Sequence, residues 1–143
     1  MIGGLKDRPV VRLHLWLETE KGVFFGLGRW KLLERIQSGQ SLKGAAESLG
    51  MSYRAAWGKI KNTEKVLGVA LIEKKAGKRA GYRLTADGIA MMACFSRWFT
   101  EVERYALKRA DDLLPCHPIA YSETESRISE GRSTNSDKDS SLP

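Results

Sequence analysis

The fold is decided by residues 41–61, which read Ser-Leu-Lys-Gly-Ala-Ala-Glu-Ser-Leu-Gly-Met-Ser-Tyr-Arg-Ala-Ala-Trp-Gly-Lys-Ile-Lys. Ser41 and Ser52 stand where helices would begin, because a serine hydroxyl there accepts a hydrogen bond from an unpaired N–H of the first turn. Gly50 lies between them and tolerates a positive φ. Ala45 and Ala46 are small enough to let a second helix cross closely. The stretch therefore predicts a helix-turn-helix.

The second of these helices separates its residues by face. A buried stripe recurs at the three-and-four spacing, with Ala56, Ile60, Thr63 and Leu67. The opposite side carries Arg54, Gly58, Lys61 and Lys65, flanked by Tyr53, Trp57 and Asn62. We expect the helix to end at Gly68 and to present this cationic side to a partner.

The residues before this stretch predict a β-hairpin and a further helix. Residues 10–18 alternate apolar and polar side chains, which is typical of a half-buried strand. Lys21 and Gly22 then offer a turn before a second short strand. From Gly28 the apolar spacing changes to that of a helix, with Gly39 available as its stop.

The residues after it predict a basic two-stranded wing and a long helix. Residues 69–74 and 83–85 form the strands, and five cations fall within ten residues: Lys74, Lys75, Lys78, Arg79 and Arg83. A solvated loop is one interpretation, but glycines among clustered cations favour a wing that follows phosphates. Thr85 is the predicted N-cap of a helix over residues 86–114. This order of elements predicts a mainly α fold with small β elements, a winged helix-turn-helix.

The apolar stripe of the long helix is wider than packing against one small domain requires. We interpret it as core plus a self-association surface, which predicts a homodimer. The residues predicted to form this dimerisation surface are Met91, Phe95, Trp98, Val102 and Tyr105.

The positive charge of the chain belongs to its first part. The formal net charge is +7, and residues 1–114 hold 21 Lys and Arg against 12 Asp and Glu, while residues 115–143 hold 3 against 5. A cationic domain favours a polyanion such as nucleic acid, although charge alone also suits an anionic membrane surface or an acidic protein. We expect one domain over residues 1–114. The Ser-rich and acidic residues 115–143 predict a disordered tail.

Other function classes find little support in the sequence. Cys94 and Cys116 form no metal-binding spacing, so we expect reduced thiols and no metal site. No apolar run reaches the ~20 residues that span a bilayer, and the start lacks a secretory signal, which predicts a cytoplasmic protein without membrane contact. No catalytic triad or phosphate loop is recognisable, so we expect no enzymatic activity.

A resemblance joins these motifs. The run Ser41-Leu42-x-x-Ala45-Ala46-x-x-Leu49-Gly50-Met51-Ser52, with Ile60, Glu64, Leu67-Gly68-Val69 and Leu84-Thr85-x-x-Gly88, resembles the winged helix-turn-helix of LysR-type regulators. Within that superfamily, Ser52-Tyr53-Arg54-Ala55-Ala56-Trp57 looks more like the molybdate-responsive regulators of the ModE type. The hairpin and the helix from Gly28 fit the same family.

The resemblance implies a dimeric, sequence-specific regulator bound to double-stranded DNA, with a link to molybdate or tungstate metabolism. Its DNA-binding residues would be Ser41, Ser52, Tyr53, Arg54, Trp57 and Lys61 in the helix-turn-helix, and Lys75, Lys78 and Arg79 in the wing. Trp57 could equally pack beside the first helices. We expect no cofactor, because the family's molybdate-binding domain has no counterpart after Leu114. The alternative is a protein-interaction or effector-relay module that docks on a separate oxyanion-binding or regulatory protein.

Overall fold

The computed structural model describes residues 7–77 and 81–121, and the predicted winged helix-turn-helix is confirmed there. The strands are β1 (Val10–Val11), β2 (Trp16–Thr19), β3 (Gly22–Gly26), β4 (Ile72–Lys74), β5 (Tyr82–Leu84) and β6 (Ile119–Ala120). The helices are α1 (Leu27–Gln37), α2 (Leu42–Ser48), α3 (Tyr53–Leu67) and α4 (Ala86–Leu113). Within the described residues, one compact unit holds residues 14–96 and a second holds residues 7–13 with 97–121.

The N-terminal hairpin forms as predicted but begins later. β2 pairs with β3 antiparallel, with a bulge between Leu17 and Glu18, and Gly22 takes a φ of 118° at the turn. The predicted alternation of burial over residues 10–18 is confirmed. The single strand predicted there is not, because residues 12–15 lie outside any strand and β1 pairs with β6 instead.

The core of the first unit joins the hairpin, the three short helices and the start of α4. Phe25, Leu32 and Ile60 are fully buried, and each such side chain contributes roughly 1.5–3 kcal/mol through burial. Phe25 meets Phe95 of α4 edge to face, with ring centroids 5.1 Å apart. The first turns of α4 are thereby fixed to the domain.

The helix ends follow the predicted caps. Ser41 Oγ accepts from Gly44 N at 3.0 Å, and Ser52 Oγ accepts from Ala55 N at 3.1 Å. Gly68 ends α3 in the left-handed region with a φ of 73°. Leu67 is 37% exposed rather than buried, because the last turn of α3 extends past the core that its earlier residues fill.

The wing is a short antiparallel pair, β4 with β5, in which Ile72 lies opposite Leu84. Lys75 N donates to Gly81 O at 2.9 Å, a hydrogen bond that joins the end of β4 to the start of β5. Thr85 caps α4, since its hydroxyl accepts from Gly88 N at 3.0 Å.

The second unit adds a contact that the sequence did not predict. β1 and β6 pair in parallel, with Val10 opposite Ile119 and Val11 opposite Ala120. Ala120 is buried, and the guanidinium of Arg12 lies 4.5 Å from the ring centre of Tyr121. The predicted tail over residues 115–143 therefore differs from the structure at its start, because residues 119–120 form a strand. The remainder, residues 122–143, lies outside the described residues.

Candidate nucleic-acid interface

The N-terminal turn of α3 is exposed at its first three residues, 53–55. Tyr53 is 46% exposed, and Arg54 is exposed as well. Within the part of the chain that the structure describes, no hydrogen bond or ion pair engages the Arg54 guanidinium. Its five N–H donors are therefore available to an external acceptor.

Three aromatic rings connect this turn to the wing. Tyr53 stacks on Trp57 with an interplanar angle of 10° and a centroid distance of 6.5 Å. Trp57 also packs against Tyr82 of β5 at 5.5 Å. We call Tyr53, Trp57 and Tyr82 the aromatic row. Trp57 is half-buried within this row and belongs to the surface between α3 and the wing rather than to the core behind α3.

A charged pair lies beside the aromatic row. Lys61 Nζ is 2.9 Å from Glu64 Oε1 and 4.5 Å from the ring centre of Trp57. The second carboxylate oxygen of Glu64 accepts from the backbone N–H of Leu71 at 2.7 Å and of Ile72 at 3.3 Å. Burial alone would raise the pKa of Glu64, but the hydrogen bonds from Lys61, Leu71 and Ile72 outweigh it and hold that pKa below its usual value.

The inner side of α3 is fixed to the hairpin through polar contacts. Thr63, fully buried, donates its hydroxyl to Phe24 O. Asn62 Nδ2 and Arg29 Nη2 both donate to Val23 O, at 3.2 and 3.1 Å. These contacts hold the outer face of α3 in one orientation.

Arg29 is the least expected member of this arrangement. Only 7% of it is exposed, and its Nε donates to Lys59 O at 3.3 Å. Burial lowers the pKa of Arg29, and burial followed by the charge of Arg29 lowers the pKa of Lys59. Arg29 is still a cation under ordinary conditions, because the usual arginine pKa is so high.

The other predicted DNA-binding residues lie as follows. Ser41 and Ser52 are exposed helix caps, and Lys75 is exposed directly after β4. Lys78 and Arg79 lie outside the described residues. Ser41, Ser52 and Tyr53 to Lys61 thus share the helix-turn-helix, with Lys75 in the adjoining wing.

The predicted dimerisation residues divide into two groups. Phe95 is only 3% exposed because it packs against Phe25 of its own chain, so it contributes core rather than interface. Trp98 and Tyr105 are 38% and 65% exposed, while Met91 and Val102 are partly exposed.

Sequence reasoning missed the roles of Arg29, Glu64 and Tyr82. Arg29 lies at a helical position that an apolar residue would ordinarily fill, and such a break in a buried stripe is the one local signal for it. Only the resemblance to LysR-type regulators marks Glu64. Tyr82 carried no signal, because its contact with Trp57 joins residues that are distant in sequence. Among the described residues, no group of three His, Cys, Asp or Glu could hold a metal ion, and no helix is long and apolar enough to cross a membrane.

The order of these elements defines a winged helix-turn-helix domain. Residues 27–89 match the family model described as the bacterial regulatory helix-turn-helix protein of the lysR family. The match covers α1 to α3, the wing and the first turn of α4.

Individual relatives give a narrower comparison. The chain is 35% identical over 93 residues to the molybdenum-pterin-binding protein MopA of Rhodobacter capsulatus, an alignment that covers 64% of this chain and 35% of MopA. The chain thus spans about a third of the length of that relative.

Two solved structures are also similar. One is the CbnR DNA-binding domain in a complex with DNA, with a TM-score of 0.45 and 22% identity over 71% of this chain and 94% of that one. The other is ArgP from Mycobacterium tuberculosis, with a TM-score of 0.41 and 18% identity over 73% of this chain and 48% of that one.

Proposed function

We propose that this protein is a sequence-specific transcription regulator that binds double-stranded DNA as a homodimer. The observation that carries the proposal is the accessible first turn of α3. Its Arg54 guanidinium is unengaged within the described residues, while Asn62 and Thr63 fix the inner side of the same helix to β3. A helix held from behind with its N-terminal turn exposed suits insertion into the major groove.

Base readout falls to the first turn of α3. Arg54 donates in bidentate fashion to O6 and N7 of guanine, which is the commonest specific contact of an arginine in the major groove. Tyr53 lies next to Arg54 and supplies apolar contact with base edges.

Phosphate contacts surround this readout. The hydroxyls of Ser41 and Ser52 use their oxygens to cap helices, which leaves each hydroxyl proton to donate to a phosphate oxygen. Lys75, together with Lys78 and Arg79 of the predicted wing tip, neutralises phosphates on the neighbouring backbone.

The homodimer forms through α4. Exposed aromatic residues on a helix are typical anchors of protein interfaces, and Trp98 and Tyr105 supply them here. Val102 and Met91 extend the surface, while Phe95 is excluded by its place in the core. A two-fold dimer sets two recognition helices about one DNA turn apart, ~34 Å, on an inverted repeat.

We further propose that the regulated genes serve molybdate or tungstate metabolism. The support is the ModE-type run around Tyr53 and the 35% identity to a protein whose name describes molybdenum-pterin binding. We assign no oxyanion site to the described residues, so a sensing step would take place on another domain or protein.

The test is a selection of duplexes from a random-sequence library by the purified chain at near-physiological salt, with and without molybdate. Enrichment of an inverted repeat supports the proposal. Binding without an enriched motif that vanishes as salt rises contradicts it and favours the protein-interaction module. A change of the enriched motif or of its affinity with molybdate would show that the chain itself responds to the oxyanion.

A further inference from the structure

Lys61 is the one lysine of α3 whose ammonium the described structure engages on two sides. Its Nζ pairs with Glu64 at 2.9 Å and lies over the Trp57 ring at 4.5 Å. An ammonium over an indole face is attracted by the ring electrons. Both partners of Lys61 are themselves tied to the wing.

The two ties reach different parts of the wing. Trp57 packs against Tyr82 on β5. Glu64 accepts from the N–H groups of Leu71 and Ile72, where the chain leaves α3 and enters β4. Lys61 therefore bridges two of the described connections between the recognition helix and the wing. We call Lys61, Glu64, Trp57 and Tyr82 the wing clamp.

The charge of Lys61 is already compensated within the wing clamp. Glu64 is largely buried and accepts hydrogen bonds from Leu71 N and Ile72 N. Its carboxylate therefore stays ionised and neutralises the ammonium of Lys61. A cation paired in this way adds little net charge to a DNA-facing surface, and its contribution to counterion release is correspondingly small. Removing it would leave Glu64 without its side-chain partner.

We propose that Lys61 is a positioning residue that sets the wing relative to the recognition helix, and that it does not contact phosphate. The inference rests on the proposed DNA-binding function and replaces the direct DNA contact predicted for Lys61 from its place on the helix. Binding to a specific duplex requires the helix in the major groove and the wing on the DNA backbone at the same time. A fixed spacing between them lowers the ordering cost of binding.

The experiment measures affinity against salt concentration for the full chain on its selected duplex and on random DNA. Lys61→Met keeps the methylene stem and removes the charge, and Lys75→Met serves as the comparison for a phosphate contact. We expect Lys75→Met to lower the salt slope by about 0.9. We expect Lys61→Met to leave the slope unchanged, to lower affinity for the selected duplex about fivefold and to spare random DNA.

A double-mutant cycle separates positioning from general damage. Glu64→Gln should weaken selective binding in the same way, and the double variant Lys61→Met, Glu64→Gln should lose no more than either single variant, because both break one clamp. All measurements are made well below the unfolding midpoint of each variant.

Two results would overturn the inference. One is a fall in salt slope for Lys61→Met on both DNAs equal to that of Lys75→Met, which would show a phosphate contact. The other is an unchanged affinity of Lys61→Met for the selected duplex. If the unaltered protein prefers no duplex, the proposed function fails instead, and the two failures are thereby distinguished.

Discussion

The first turn of α4 lies against the backbone of Leu71 at Gly88. A Cβ added at Gly88 would lie 2.2 Å from the Leu71 carbonyl oxygen, which is rigid backbone. That oxygen also accepts from Thr85 N at 2.9 Å. Glycine at position 88 therefore permits the first turn of α4 to lie against Leu71, the residue just before β4.

Gly88→Ala should destabilise the domain by about 1–3 kcal/mol, because the added methyl forces the helix away from Leu71. Urea unfolding followed by circular dichroism measures the difference. Gly58→Ala is the matched control, since nothing lies within 4 Å of a Cβ at that helical position. It should stabilise the protein by about 0.4–1 kcal/mol, and an equal loss for both variants would contradict the packing argument.

Glu64→Gln should cost roughly 1–2 kcal/mol at pH 7, because the charged acceptor of Lys61, Leu71 and Ile72 is lost. The folded pKa of Glu64 is below its usual 4.5, so its stabilisation is present above that value and is lost as pH falls through the folded pKa. The difference between the two proteins should shrink over that range in urea titrations. Glu73→Gln, which removes an exposed ion pair with Arg83, should change the free energy of unfolding by less than ~1 kcal/mol, both at pH 7 and below the folded pKa of Glu64.

Thr63→Val should destabilise the protein by about 1–3 kcal/mol. The side chain is fully buried, and valine keeps its shape while leaving Phe24 O without the hydroxyl donor. Asn62→Ala is the comparison, because Arg29 still donates to Val23 O when Asn62 is absent. Thermal or urea unfolding should rank Thr63→Val as clearly the more damaging change.

Arg54→Ala should weaken binding to the selected duplex by about 1–3 kcal/mol and relax the base preference at one position, as loss of a bidentate guanine contact requires. Lys75→Ala should weaken selected and random duplexes evenly. Fluorescence anisotropy with a panel of single-base variants measures both effects. Arg97→Ala, outside residues 27–89 and paired with Glu101, should alter neither, and equal losses for Arg54→Ala on every duplex would refute the readout.

Tyr105→Ser should raise the dimer dissociation constant at least tenfold, or ~1.4 kcal/mol. Tyr105 is 65% exposed in the single chain, and the proposed dimer covers it as an aromatic anchor. Analytical ultracentrifugation over a concentration series gives the constant. Ile89→Ser, which removes another exposed apolar side chain of α4, should leave it unchanged. A monomeric unaltered protein would contradict the proposed assembly.

Local signals account for what the sequence predicted well. The caps at Ser41, Ser52 and Thr85 depend on hydrogen bonds spanning three residues, and residue type alone indicates them. The period-two burial of residues 10–18 is likewise a property of neighbours.

Contacts between distant residues account for the rest. The pairing of β1 with β6 joins residues more than a hundred positions apart, and nothing in either segment specifies it. The apolar stripe of α4 could not show that Phe95 faces Phe25 of its own chain, because a helical pattern marks burial without naming the partner. In the candidate site, the exposure of Arg54 follows from its place on the helix. The contacts of Lys61 with Trp57 and Glu64 are visible only in the structure.

The polar contacts that hold β3 also bear on its exposed backbone acceptors. β3 pairs with β2 alone among the described strands, and the unpaired edge of a strand invites pairing with another chain. Here the carbonyl oxygens of Val23 and Phe24 are taken by side chains of α1 and α3. The side chains that fix α3 thus also occupy backbone acceptors of β3, so loss of Thr63 or Arg29 should lower solubility as well as stability.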